Sequence, residues 1–320
     1  MAPSGDPSAF IPARPRGHGE ARPMSRKPDW AVEGRDWPDR VSSRFVTAGG
    51  LRWHVQDMGA GPTVLLLHGA GAATHSWRGL APLLARRLRV VAIDLPGHGF
   101  TGTPAGMALS LPEMARRVAG LIKALDIEPS LVVGHSAGAA IAIRMALDGA
   151  VQAPIIAING ALRPFTGVTA PLFQGLATLL LLNPLAAHLF AAQARDRSRV
   201  ARLIEGTGSR IDDAGLEFYA RLFRAPGHVA GTLGMMANWD LGALQRDLRK
   251  LTAPLTLVVG TRDAAVPQSV ADDVAASVPR AEIVKLVGLG HLAHEERPDL
   301  VADIILRVAR AHGLLDEDAA

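Results

Sequence analysis

The feature that most constrains this chain is Gly134-His135-Ser136-Ala137-Gly138, set directly after the apolar run Leu131-Val132-Val133 and before Ala139-Ala140-Ile141-Ala142-Ile143. A serine flanked in this way, at the end of a buried strand and the head of a helix, matches the nucleophile elbow. That tight turn holds a hydroxyl clear of the backbone at the top of a sheet. The glycines two positions before and after are needed because the turn brings backbone atoms to where side chains would otherwise stand. The five-residue pattern alone is weak, since a small-residue helix start also produces it. Its weight comes from the flanking strand and helix and from partners further along the chain.

Residues 44–48 and 51–56 flank Gly49-Gly50 and read as a β-hairpin. Apolar strands then alternate with helical segments: strands over 63–67, 89–93, 131–133 and 154–158, with helices over 77–86, 111–125 and 139–147. Near-continuous apolar strands separated by helices predict an α/β fold, a mostly parallel central sheet covered on both faces. From 163 to about 243 only helical signals appear, and strands resume over 255–259 and 282–286 before a last helix over 300–311. A helical block interrupting a βα array predicts an inserted lid. The expected division is therefore a disordered N-terminal tail over 1–27, a core over 28–162 and 244–320, and a helical lid over 163–243. Met24 would serve equally well as a start.

A serine nucleophile needs a base to take its proton and a carboxylate to orient that base. Asp263 follows the strand over 255–259, and His291 follows the strand over 282–286 between Gly290 and Leu292. The order serine, acid, histidine along strand ends puts all three on one sheet edge. Asp263 could also serve only as a turn or cap residue. His294, three residues beyond His291, is the rival base and is expected at the surface or behind the site. The oxyanion hole needs two backbone N–H groups. Ala137, just after the serine, is one expected donor. Ala70, in the small-residue loop His68-Gly69-Ala70-Gly71-Ala72-Ala73, is the other. Asp94, in Asp94-Leu95-Pro96-Gly97-His98-Gly99, reads as a structural turn. His68, Gly69, His135, Trp77, Met235, Met236 and Trp239 are the expected substrate contacts, and Leu179 to Leu182 and Phe190 are candidates for an apolar wall.

The bulk composition excludes several alternatives. Cysteine is absent, so there is neither disulfide nor thiol chemistry, and charged residues are 20% of the chain with a net charge of only +4. No long basic run suggests nucleic acid, no metal site is expected, and no cofactor is implied. The N-terminal segment has no apolar h-region and does not read as a secretory signal. Residues 175–192 approach membrane-spanning length, but Asn183-Pro184 splits them and His188 interrupts them, so two short apolar helices are expected. The expected location is cytoplasmic, with peripheral contact at the inner membrane left open.

On these residues the chain resembles the α/β-hydrolase superfamily from Phe45 to Leu314, with His68-Gly69, the Asp94 turn, Ser136, Asp263 and His291 as the matching positions. A serine at 136 argues against dehalogenase chemistry, which uses a carboxylate there. Four segments, of which 226–240 is the most specific, are similar to the magnesium-chelatase accessory α/β-hydrolases of bacteriochlorophyll synthesis in photosynthetic bacteria. That resemblance implies a context of porphyrin metallation, a hydrophobic substrate such as a porphyrin, and a magnesium-chelatase subunit as partner. Arg163 and Arg221 are then candidates to pair with propionates, against the plainer reading as solvated surface charges. Two functions follow: a serine hydrolase acting on an ester, amide or thioester bond, or a non-catalytic tetrapyrrole-binding or chelatase-accessory protein on the same fold.

Overall fold

The computed structural model describes residues 27–104, 109–164 and 184–316. Leu179 to Leu182 and nearly all of the N-terminal tail lie outside them. The sheet has eight strands: β1 Ser43–Ala48, β2 Leu51–Met58, β3 Thr63–Leu67, β4 Arg89–Ile93, β5 Leu131–His135, β6 Ile155–Ile158, β7 Leu255–Gly260 and β8 Ala281–Leu286. Their spatial order is β1-β2-β4-β3-β5-β6-β7-β8. Strand β2 runs antiparallel to both of its neighbours, and the remaining pairs are parallel.

The central strands are buried on both faces, and the pleat sorts their side chains between two cores. Leu65, Leu67, Val91, Ile93 and Val132 point into one core, and Val64, Leu66, Val90, Ala92 and Val133 into the other. Helices α3 Leu111–Ala124, α4 Ala137–Leu147 and α10 Ser269–Ser277 cover the first face. Helices α2 Ala81–Leu84 and α12 Pro298–Ala311 cover the second. The single helix expected over 77–86 is instead a 3-10 turn, Thr74–Trp77, followed by the one-turn α2. Pro82 accounts for the break, because it is tolerated in the first turn of α2 but would lack the N–H needed deeper in a longer helix.

Between β6 and β7 every described element is helical: α5 Pro184–Gln193, α6 Arg197–Glu205, α7 Asp213–Phe223, α8 Pro226–Ala237 and α9 Gly242–Asp247. Of these helices, α8 lies against the loops that follow β3 and β4, where His228 bonds Gly71 and Gly99. A Cβ on Gly231 of α8 would stand 1.9 Å from the Gly97 carbonyl oxygen, so the helix meets that loop backbone to backbone. Among the described residues no helix is long and apolar enough to cross a membrane.

The topology also chooses the site. Strand β3 has β4 on one side and β5 on the other, so the chain reverses its direction of winding there. In open α/β sheets the crevice at such a switch point is where ligands bind. The loops that leave β3 and β5 carry Gly69 and Ser136.

Candidate active site

Ser136 stands between β5 and α4 with φ +51° and ψ −114°, a conformation that side-chain-bearing residues rarely adopt. The reason for its glycines is visible in the packing. A Cβ on Gly134 would meet the Ala139 backbone at 2.5 Å, and one on Gly138 would meet the Leu67 carbonyl oxygen at 2.1 Å. The turn is held by Ser136 N–H donating to Ile158 O at 3.0 Å and by Ala161 N–H donating to Ser136 O at 3.1 Å. The serine itself is partly exposed.

Asp263 and His291 are in contact. His291 Nδ1 lies 2.8 Å from Asp263 Oδ2, while Asp263 Oδ1 accepts from the N–H groups of Ala265 and Val266, each at 2.8 Å. An ionised carboxylate only accepts, so the neutral ring carries its proton on Nδ1 and leaves Nε2 as a lone pair. That is the state a general base requires. The aspartate thus uses its three acceptor contacts to fix one imidazole orientation.

The loop that bears His291 is clamped from several directions. Asn159, at φ +46° just after β6, donates from Nδ2 to Gly290 O and His291 O at 2.9 and 2.8 Å and accepts from Gly260 N–H at 2.7 Å. Glu296 accepts from Gly290 N–H at 2.8 Å. From the helical insertion, Thr207 O accepts from Ala264 N–H at 3.0 Å and His291 N–H at 3.3 Å, and Ser209 Oγ accepts from Leu292 N–H at 2.7 Å. One strand of insertion backbone therefore ties the aspartate loop to the histidine loop. Asn159, Thr207 and Ser209 escape sequence reasoning, because a lone Asn, Thr or Ser in a loop carries no spacing signal.

Behind the serine lies a stack of buried histidines. His135 Nε2 donates to His291 O at 2.9 Å, and its ring faces His294 at 4.4 Å between centroids. Burial, reinforced by His294 and His291, pushes the His135 imidazole well below its ordinary value. His294 is fully buried against Trp77 at 4.6 Å, and burial takes it down to about 3. Of the two expected positions for His294, at the surface or behind the site, the structure has the second: the tight turn into α11 Ala293–Glu296 directs the ring inward.

The other wall is the loop after β3. A Cβ on Gly69 would stand 3.1 Å from Ser136 Cβ, so this backbone passes directly beside the serine, and the neighbouring Ala70 is exposed. Leu95 N–H donates to His68 Nε2 at 2.9 Å, which places the His68 proton on Nδ1, where it is donated to Gly69 O at 2.7 Å. His228 of α8 takes the opposite tautomer. Its Nδ1 accepts from Gly99 N–H at 3.0 Å and its Nε2 donates to Gly71 O at 3.1 Å. Burial lowers His68 below its usual value and His228 to about 3, so neither is charged near neutrality.

The remaining expected contacts divide by burial. His68, His135, Trp77 and Met235 have almost no exposed surface, Gly69 is buried, and Met236 and Trp239 are half-buried. Arg163 pairs with Asp273, and Arg221 pairs with Asp36 and Glu217, so both guanidinium groups already have protein partners. Among the described residues no group of three or more His, Asp or Glu could hold a metal ion.

With this geometry in place, comparison with known proteins is informative. The sequence profile of the Alpha/beta hydrolase family matches residues 64–304. The Magnesium-chelatase 30 kDa subunit of Rhodobacter capsulatus is 40% identical over 273 residues, covering 85% of this chain and 95% of that protein. The 2-hydroxy-6-oxo-2,4-heptadienoate hydrolase of Pseudomonas putida is 29% identical over 234 residues, 70% of this chain and 80% of that one. Among solved structures, an alpha/beta hydrolase fold protein from Burkholderia ambifaria superimposes with a TM-score of 0.69 at 22% identity, covering 82% of this chain and 97% of its own. The profile match extends from β3 into α12 and so takes in the serine, aspartate and histidine loops together. The chain belongs to the α/β-hydrolase family.

Proposed function

We propose that the protein is a serine hydrolase that cleaves an ester, amide or thioester bond in a large hydrophobic substrate. The observation that carries this reading is the 2.8 Å contact between His291 Nδ1 and Asp263 Oδ2, on the same sheet edge as a strained, partly exposed Ser136. In the proposed reaction Ser136 Oγ attacks the substrate carbonyl carbon as its proton passes to His291 Nε2. Asp263 stabilises the imidazolium that forms. The N–H groups of Ala70 and Ala137 receive the oxyanion. Collapse of the tetrahedral intermediate expels the leaving group, which takes the proton from His291 and leaves an acyl-serine. Water, deprotonated by the same histidine, then releases the acid and restores the serine.

The helical insertion over 163–243 acts in this reading as a lid over the site. The name of the Rhodobacter relative supports a chelatase subunit as partner, and the resemblance of 226–240 to chelatase-accessory hydrolases suggests a setting in magnesium-porphyrin and bacteriochlorophyll synthesis, with a protoporphyrin or magnesium-protoporphyrin derivative as substrate. The same name favours a second reading, in which the fold serves the chelatase without catalysis.

Two assays separate the readings. In the first, 4-nitrophenyl butyrate is offered to the wild type and to Ser136→Ala. The hydrolase reading expects turnover in the former and none above background in the latter, and equal rates would refute it. In the second, both proteins are added to a chelatase assay of magnesium insertion. Full support from Ser136→Ala, together with an inert wild type in the first assay, would establish the accessory reading instead.

A further inference from the structure

Lys27 stands just before Pro28 and the short helix α1 Trp30–Glu33. Part of the residue reaches solvent, but its Nζ is buried and has no hydrogen-bond partner among the described residues. An ammonium carries three donors and no acceptor, and a dry, unpaired one is unfavourable. Asp94 acts on its charge, and that charge in turn lowers His68, His98 and His228. All four come from the ends of β3 and β4, the turn that follows β4, and helix α8. These loops include the one that carries the Gly69-Ala70 backbone beside Ser136.

None of these neighbours can answer the charge. Asp94 Oδ1 accepts from Thr74 N–H at 2.7 Å, and Oδ2 is taken by His54 Nδ1 at 2.9 Å and Phe100 N–H at 2.8 Å. The acceptor nitrogens of His68 and His228 are occupied by Leu95 and Gly99. His98 Nδ1 donates to Pro96 O at 3.1 Å, and its buried Nε2 is also without a partner. A shift that joined Nζ to that nitrogen would use one donor of three and bring no negative charge. Burial takes Lys27 down to about 7, with Asp94 alone acting in the other direction.

We propose that Lys27 is the recognition group for a carboxylate on the ligand of the Ser136 site, which accepts hydrogen bonds from Nζ beside the loop over 68–72. The ligand class is an organic acid ester or an amphipathic molecule with carboxylate arms. A single point charge without an arginine fork or a glycine-rich cradle suits a carboxylate better than a phosphate. The proposal rests on Ser136 marking the ligand site.

The test therefore has one arm that needs turnover and one that does not. In the first, the full chain is given 4-nitrophenyl butyrate and the mono-4-nitrophenyl ester of glutarate. The ratio of kcat/KM, anionic over neutral, is expected to fall at least ~10-fold in Lys27→Gln and to recover partly in Lys27→Arg. An unchanged ratio overturns the proposal. In the second, protein labelled with 13C at lysine Cε is titrated with glutarate, the Lys27 signal being assigned by its loss in Lys27→Gln. A saturable shift of that signal, with a rise in its titration midpoint, supports the proposal even if Ser136 proves inert. A Lys27 signal unmoved by glutarate overturns it, even if Ser136 proves active.

Discussion

A fully hydrogen-bonded serine–histidine–aspartate triplet exists in this molecule, and it is not the set proposed to be catalytic. Ser43 Oγ lies 3.1 Å from His54 Nε2, and His54 Nδ1 lies 2.9 Å from Asp94 Oδ2. The pair His291 and Asp263 is closed at 2.8 Å through Nδ1, and among the described residues no hydrogen bond engages His291 Nε2. The difference lies in what remains open. Gln56 Nε2 also donates to Ser43 Oγ at 3.2 Å, Asp94 accepts three donors, and both His54 and Asp94 are fully buried. Ser43 begins an edge strand with ordinary extended geometry. His291 retains an accessible ring edge, and Ser136 stands strained beside Gly69 with a helix starting at its back. Saturated hydrogen bonds mark a strut, and an unfilled acceptor beside a strained hydroxyl marks a candidate catalyst.

The largest expected effect separates the two serines. Ser136→Ala should lower esterase turnover by ~10³- to 10⁶-fold, since residues acting as a unit fail together. Ser43→Ala should leave turnover within about threefold of the wild type, as expected for a change confined to the far strut. Comparable losses in both variants, measured by initial rates on 4-nitrophenyl butyrate, would erase the distinction.

The two aspartates should part in the same way. Asp263→Asn is expected to cost ~10⁴-fold in kcat with the fold retained, because the amide turns the imidazole to the wrong tautomer. Asp94→Asn should instead cost about 3–5 kcal/mol of stability by leaving buried donors and His54 unanswered, read as a fall in the denaturation midpoint. Asp94 also sets a pH dependence. Burial opposes its charge, yet His54, His68 and the Phe100 N–H hold it below the usual carboxylate range. Its folded value lies under the unfolded one of about 3.9. The stabilisation is thus complete above that unfolded value and is lost as pH falls from it towards the folded one. Melting curves should show this acid loss in the wild type and a shallower one in Asp94→Asn. Equal slopes would contradict it.

How much of this was legible beforehand follows from the physics of each element. Strands β3, β4, β5 and β7 announce themselves as Val- and Leu-rich runs, because parallel strands covered on both faces admit little else. Ser136, Asp263 and His291 are legible because each sits at a strand end in a fixed order. Asn159 is not, because its role arises only when β6 and β8 bring distant loops together. The His54–Asp94 pair is equally silent, joining strand β2 to the turn after β4 across 40 residues. The insertion was legible as helix, but not its bonds from Thr207 and Ser209 to the histidine loop.

That clamp supplies an intermediate prediction. Asn159→Ala removes the amide donor to the Gly290 and His291 carbonyls, leaving His291 O only its bond from His135, and should lower kcat by ~10²-fold through misplacement of the imidazole, with KM little changed. A pure stability loss at full kcat, followed in parallel by calorimetry and kinetics, would reduce Asn159 to a strut like His54. The smallest effect belongs to Ser43→Ala, which removes two part-buried hydrogen bonds, with His54 and Gln56, and should cost about 1–3 kcal/mol. Urea denaturation resolves a change of that size.

In the proposed reaction His291 activates Ser136, and the saturated triplet activates nothing. Incubation of the full chain with a fluorophosphonate, followed by peptide mass spectrometry, tests it directly. One adduct is expected, on Ser136, abolished in His291→Ala and unchanged in Ser43→Ala. An adduct on Ser43 or another serine with Ser136 unmodified, or equal labelling of Ser136 in wild type and His291→Ala, would contradict it.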